Sequence, residues 1–186
     1  AVTNNEIRGL RNPDQGGVAG ISVQGNVNGA TVENNTISDL GGDITHYGFG
    51  VVIRGTSNHG EVPQDVGVVD NEISDITSDD RDLLGVGLSV NADGTGYSFE
   101  NNDVGAELGV EIKAAAEETT FDGNTIGGTE LRLGDKTGDV PISDVFDNNY
   151  FDGAAATDSL RVESIPYEQA IFPTISSAVN VSEGGS

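Results

Sequence analysis

Six times along the chain one short phrase returns: a large apolar residue, two variable positions, Asn, one variable position, and another apolar residue. The copies are Val2-x-x-Asn5-x-Ile7, Val32-x-x-Asn35-x-Ile37, Val68-x-x-Asn71-x-Ile73, Phe99-x-x-Asn102-x-Val104, Phe121-x-x-Asn124-x-Ile126 and Phe146-x-x-Asn149-x-Phe151. Successive asparagines lie 30, 36, 31, 22 and 25 residues apart. A recurrence in that range marks stacked supersecondary units, because a unit this small cannot bury its apolar face alone. No other property of the chain narrows the fold as much.

Each copy continues into an apolar-x-apolar pair: Ile21/Val23, Val51/Ile53, Leu88/Val90, Val110/Ile112, Leu131/Leu133 and Leu160/Val162. Glycine-spaced runs lead into the first three, Gly17-Val18-Ala19-Gly20, Gly48-Phe49-Gly50 and Gly85-Val86-Gly87. Short alternation of apolar with small or polar residues is strand periodicity with one face buried. Nowhere does the i, i+3, i+4, i+7 pattern of an amphipathic helix last three turns. The repeats therefore predict short strands joined by turns, in a chain that coils once per repeat. Each strand lies on its copy in the next coil, about 4.8 Å away, and Val, Ile, Leu and Phe pile into interior columns.

The recurring Asn has its own reason. At a tight bend its amide both donates and accepts, and Asn tolerates the left-handed backbone region better than most residues. Asn5, Asn35, Asn71, Asn102, Asn124 and Asn149 share one register, so they are expected to bond one another coil to coil in a ladder. The alternative, that each marks an unrelated turn, leaves the matching apolar flanks unexplained.

The phrases V-E-N-N-T-I, V-V-D-N-E-I, F-E-N-N-D-V, F-D-G-N-T-I and F-D-N-N-Y-F resemble the repeat of pectate-lyase-like proteins and of carbohydrate-binding and sugar-hydrolysis β-helix domains. The resemblance implies an all-β, right-handed, single-stranded parallel β-helix, a solenoid of about six coils over residues 1–162. It speaks to fold more than to activity. That superfamily includes polysaccharide lyases, hydrolases, epimerases, phage spikes, adhesins and surface proteins with no chemistry.

Asp and Glu number 31 against 8 Lys and Arg, a net charge of −23, and the only lysines are Lys113 and Lys136. So anionic a surface repels itself at low salt, which points to a halophilic microbe rather than an ordinary acidic domain. The same charge argues against nucleic acid as a partner. No apolar run is long enough to predict membrane insertion. Cations are the natural counterpart: no cofactor is required, while surface Ca2+ or other cations are expected companions. Cysteine is absent, so it does not discriminate the compartment. Long β-helices are usually exported, and the expected location is extracellular or the cell surface. The chain opens inside a repeat phrase without Met or signal peptide. The expectation is a removed export signal and upstream region, or a portion of a longer protein.

Coils one to three are long because segments are inserted between the Asn phrase and the second strand: Arg8–Gly17, Ser38–Gly48 and Ser74–Gly85. Stacked in register, these insertions should lie side by side as a lateral ridge, where a rigid solenoid mounts function. Coil two carries a further excursion, Arg54–Gly67, with His59 and Pro63. After Val162 the pattern breaks, and residues 163–186 read as a C-terminal capping or linker tail covering an exposed sheet edge. The first coil shows no cap of its own. It is expected to meet an adjoining domain of the same protein or another copy, end to end.

Chemistry-bearing candidates are few. Asp79, Asp80 and Asp82 share the third insertion and could hold a hard cation through oxygen ligands; the competing reading is a salt-adapted loop tip. His46 and His59, the only histidines, fall in coil-two insertions. With Tyr47, Arg11 and Asp80 they are the candidates for a cleft that binds a glycan or supports acid–base chemistry. Asn58-His59-Gly60 departs from the G-H-G of polygalacturonase-like enzymes, and no R-I-K phrase occurs. Lyase-like sites need a base beside calcium, whereas Lys113 and Lys136 fall on the short coils. The sequence favours a non-catalytic extracellular module, surface, adhesive or filament-forming, over a polysaccharide-acting lyase or hydrolase with its cleft in the insertions of coils one to three.

Overall fold

The computed structural model describes residues 1–12, 16–42, 47–56, 60–78, 85–112, 119–127, 130–133, 149–152, 160–162 and 171–172. Eighteen short strands form three sheets, and there is no helix among the described residues. Sheet A runs β1 (Val2–Thr3), β4 (Thr31–Glu33), β7 (Gly67–Val69), β10 (Ser98–Glu100) and β13 (Thr120–Asp122). Sheet B runs β2 (Glu6–Arg8), β5 (Thr36–Leu40), β8 (Glu72–Ile76), β11 (Asp103–Ala106), β14 (Thr125–Gly127) and β16 (Tyr150–Asp152). Sheet C runs β3 (Val18–Gln24), β6 (Gly48–Arg54), β9 (Val86–Asn91), β12 (Leu108–Ile112), β15 (Glu130–Leu133), β17 (Leu160–Val162) and β18 (Ile171–Phe172). Each of the first five coils visits A, B and C in turn, and neighbours in every sheet come from successive coils. The fold is a parallel β-helix.

One pairing departs from the rule. Ile171 and Phe172 lie antiparallel to Arg161 and Leu160, so β18, from the segment past Val162, occupies the far edge of sheet C. All other strand pairs are parallel.

The apolar pattern becomes columns. In sheet A, Val2, Val32, Val68, Phe99 and Phe121 are in register, and the last two rings stack with centroids 4.5 Å apart. Sheet B aligns Ile7, Ile37, Ile73, Val104, Ile126 and Phe151. Sheet C aligns Ile21, Val51, Leu88 and Val110, with Val23, Ile53, Val90 and Ile112 beside them. From Val32 to Ile126 the residues of these columns make one continuous core, with Ile7 packed against it, which is what lets such short strands persist.

The glycine-spaced runs have a steric cause. A Cβ on Gly20, Gly50, Gly87 or Gly109 would stand 2.2–2.6 Å from a methyl carbon of Ile37, Ile73, Val104 or Ile126, and 2.6–2.9 Å from the carbonyl oxygen of Gly50, Gly87, Gly109 or Gly127. Sheet C presses its backbone onto sheet B along this line. Any side chain there must displace both a packed methyl and the next coil.

The six asparagines form a single file between sheets A and B. From Asn5 to Asn124, each donates its backbone N–H and its Nδ2 to Oδ1 of the Asn one coil on, at 2.7–3.1 Å. The second Nδ2 hydrogen reaches back to the previous coil, from Asn71 to the Val32 carbonyl and from Asn102 to that of Val68. Asn35, Asn71, Asn102 and Asn124 are buried, so this network satisfies amides that would otherwise be costly. One expectation needs refinement. In the first five coils the left-handed backbone belongs to the residue before the ladder Asn: Asn4, Asn34, Asp70, Asn101 and Gly123 have φ of 53–66°. The bend and the amide ladder are separate tasks on adjacent residues.

Candidate functional site

The lateral face where coils one to three carry their insertions is the place to look for chemistry. The insertions leave sheet B through a shared bulge. Gly9, Asp39 and Asp75 all have positive φ, and the bulge of coil three disappears against coil four, where Gly105 pairs Ser74 but Ala106 pairs Ile76. The bases of the insertions stack as expected: Gly9 N–H donates to Ser38 O, Gly41 N–H to Leu10 O, Thr77 N–H to Leu40 O and Val18 N–H to Tyr47 O. Gly42 N–H adds a bond to Thr77 Oγ1 at 3.0 Å.

Two charged groups organise this face. Arg11 donates to the carbonyl and to the carboxylate of Asp39, and so ties coil one to coil two. Glu107 Oε2 accepts the backbone N–H of Ser78 at 2.9 Å and that of Gly85 at 2.7 Å. A single carboxylate of coil four therefore ties together two points of the third insertion, Ser78 and Gly85. Tyr47 stacks on Phe49 with centroids 5.8 Å apart and remains exposed, so of the cleft candidates Arg11 is bonded to Asp39 and Tyr47 packs on its own strand. His46, His59, Asp79, Asp80 and Asp82, like Lys113 and Lys136, lie outside the described residues. No group of three or more His, Asp or Glu able to hold a metal occurs among the described residues.

The excursion of coil two is anchored at a different corner, between sheets C and A. The Tyr97 hydroxyl donates to Pro63 O at 2.8 Å, and Gln64 Oε1 accepts from Thr95 N–H and Oγ1 at 3.0 and 2.7 Å. Burial pushes the Tyr97 phenol up to about 12, with the charge of Asp93 acting in the same direction. On the outer column of sheet C, Ser89 and Glu111 are buried side by side, the hydroxyl donating to Glu111 Oε2 at 3.4 Å.

Sequence reasoning missed Glu107, whose role depends on coil four being one residue shorter at the bulge. It also missed Asp39, although the recurrence of Ile37-Ser38-Asp39-Leu40 as Ile73-Ser74-Asp75-Ile76 was a readable signal. Comparison of the chain with protein-family models, curated proteins and solved structures returns no significant match. The functional reading rests on this geometry.

Proposed function

We propose that the chain is a non-catalytic extracellular β-helix module of a halophilic microbe, built on the pectate-lyase-like plan and used as a surface, adhesive or filament-forming element. The observation that supports it most directly is the arrangement of charge on the rungs. Glu100 is in register with Asp122 and Glu72 with Asp103, all four exposed, and Asp70 and Asp75 occupy exposed bends beside them. The scaffold fixes these like charges about 4.8 Å apart from rung to rung. A buried amide ladder and a filled core supply the rigidity that such a surface needs, and screening cations supply its tolerance.

The reading predicts that thermal unfolding followed by circular dichroism shifts strongly upward between about 0.1 M and about 1 M KCl, where the Debye length falls from ~10 to ~3 Å. A transition temperature indifferent to salt would remove the halophilic part of the proposal. It also predicts no turnover of acidic polysaccharides. The second reading, a lyase or hydrolase, draws its support from the aligned insertion bases and the Arg11–Asp39 tie at their root. Cleavage of a glycan that is lost on replacing His46, His59 and Asp80 by Ala would establish that reading instead.

A further inference from the structure

The bends between sheets A and B are copies of one another in shape, and one of them differs in chemistry. The left-handed residue is Asn4, Asn34, Asp70, Asn101 and Gly123 in coils one to five, and all five are exposed. Two positions on, where each sheet B strand begins, stand Glu6, Thr36, Glu72, Asp103 and Thr125, in register along the sheet. Glu6, Thr36, Glu72 and Asp103 are exposed. Thr36 thus puts a hydroxyl between Glu6 and Glu72, in a row where the surface otherwise places carboxylates. Thr125 follows a glycine bend. Of these five bends, that of coil two combines an Asn with a hydroxyl two residues later, as Asn34-Asn35-Thr36, which is the Asn-x-Thr pattern of a glycan acceptor.

The geometry separates the two asparagines of this phrase. Asn35 is 1% exposed, and its Nδ2 donates to Val2 O, Glu33 O and Asn71 Oδ1. Its amide belongs to the ladder. Asn34 is exposed, its backbone N–H donates to Val69 O at 3.1 Å, and its side-chain amide has no partner among the described residues. A substituent on Asn34 Nδ2 therefore breaks neither the ladder nor a strand bond. The corner consists of Asn34 and Asn35 between β4 and β5, with no insertion to shade the amide. Forming the bend accounts for Asn34, as it does for Asn4 and Asn101, but it does not call for Thr36.

We propose that Asn34 is an N-glycosylation site, taking an oligosaccharide from a lipid-phosphate-linked donor. In the transfer the Nδ2 nitrogen forms a bond to the anomeric carbon of the first sugar. The bond from that carbon to the phosphate oxygen of the carrier breaks, and its electron pair leaves with the phosphate. The Nδ2 proton passes to a base of the transferase. The site rests on the extracellular reading of the chain, because such acceptors lie on surface loops of secreted proteins. It also assigns a face: a bulky, solubilising glycan keeps the A–B corner of coil two turned to solvent in any assembly of the module.

The test is to export the 186-residue chain from a host shown to glycosylate a second sequon-bearing protein, and to compare its intact mass and glycopeptides with the bare 19.2 kDa polypeptide. The expected result is an oligosaccharide mapped to Asn34 and none on Asn35. Thr36→Ala and Asn34→Gln should each abolish it, and Thr36→Ser should keep it, with circular dichroism showing that every variant is folded. An exported chain that is bare at Asn34 overturns the site and leaves the module reading standing. So does a chain modified only at Asn180, in the other such phrase, Asn180-Val181-Ser182. A glycan that persists on Asn34 in Thr36→Ala also overturns the assignment, because the hydroxyl would then play no part. A chain glycosylated at Asn34 whose unfolding ignores salt would remove the halophilic part of the reading and uphold the site.

Discussion

The described coils turn three kinds of corner, and these obey different rules. Between sheets A and B the corner is the same length in each of the first five coils and uses the same two positions, a left-handed bend followed by the ladder Asn, buried from Asn35 to Asn124. Between B and C, and again between C and A, the length changes from coil to coil and the contacts are made by residues used once, such as Arg11, Glu107 and Tyr97. The constant corner is held by its own copies above and below. The variable corners are held by whichever neighbour happens to reach them. This predicts a ranking: damage at the constant corner propagates along the stack, while damage at a variable corner stays local.

The largest effect is expected at an interior rung. Asn71→Leu removes the acceptor for two N–H groups of Asn35 and leaves the Val32 and Val69 carbonyls without their amide donor. Stranding several buried groups should cost about 3–5 kcal/mol. Asn5→Leu, at an exposed rung whose Oδ1 accepts no hydrogen bond among the described residues, should cost less than about 1 kcal/mol. Urea unfolding of the two variants measures the difference. Equal losses would mean that a rung does not depend on its neighbours, and the ranking would fail at its first step.

This division also explains how much could be read in advance. The ladder and the inward columns were legible because six copies of one phrase average out local noise, and because apolar-x-apolar spacing has only one way to face a core. The left-handed residue was assigned one position too late, since Asn34-Asn35 and Asn101-Asn102 place two suitable residues together and only the backbone tells them apart. Glu107 was not legible at all. Its partners are the N–H groups of Ser78 and Gly85, which any residue carries, and its reach depends on a register shift that no single coil encodes. Repetition writes structure into sequence; a contact made once does not.

An intermediate effect should follow from that contact. Glu107→Ala should cost about 1–2 kcal/mol, because two partly buried backbone donors lose a charge-assisted acceptor. Amide hydrogen exchange should accelerate at Ser78 and Gly85 and stay unchanged at Asn71 and Asn102. Glu107→Gln retains a neutral acceptor and should fall between the two. Faster exchange along the ladder itself would show that the insertion corner is coupled to the stack and erase the distinction between corners.

A smaller effect than that of Glu107 is expected at the return corner, and its sign comes from titration. Tyr97→Phe loses one hydrogen bond to Pro63 O, worth about 1 kcal/mol at neutral pH. The folded phenol is raised from 10.0 to about 12, so the fold favours its neutral form. That contribution is fully present below pH 10 and is lost as the pH rises toward 12. The wild-type chain should therefore lose stability more steeply than Tyr97→Phe across this window, and the gap between them should narrow or reverse. Urea midpoints at several pH values test it. Parallel curves would mean that water reaches the hydroxyl, so that Tyr97 does not clamp the excursion of coil two and the return corner depends on Gln64 and Thr95 alone.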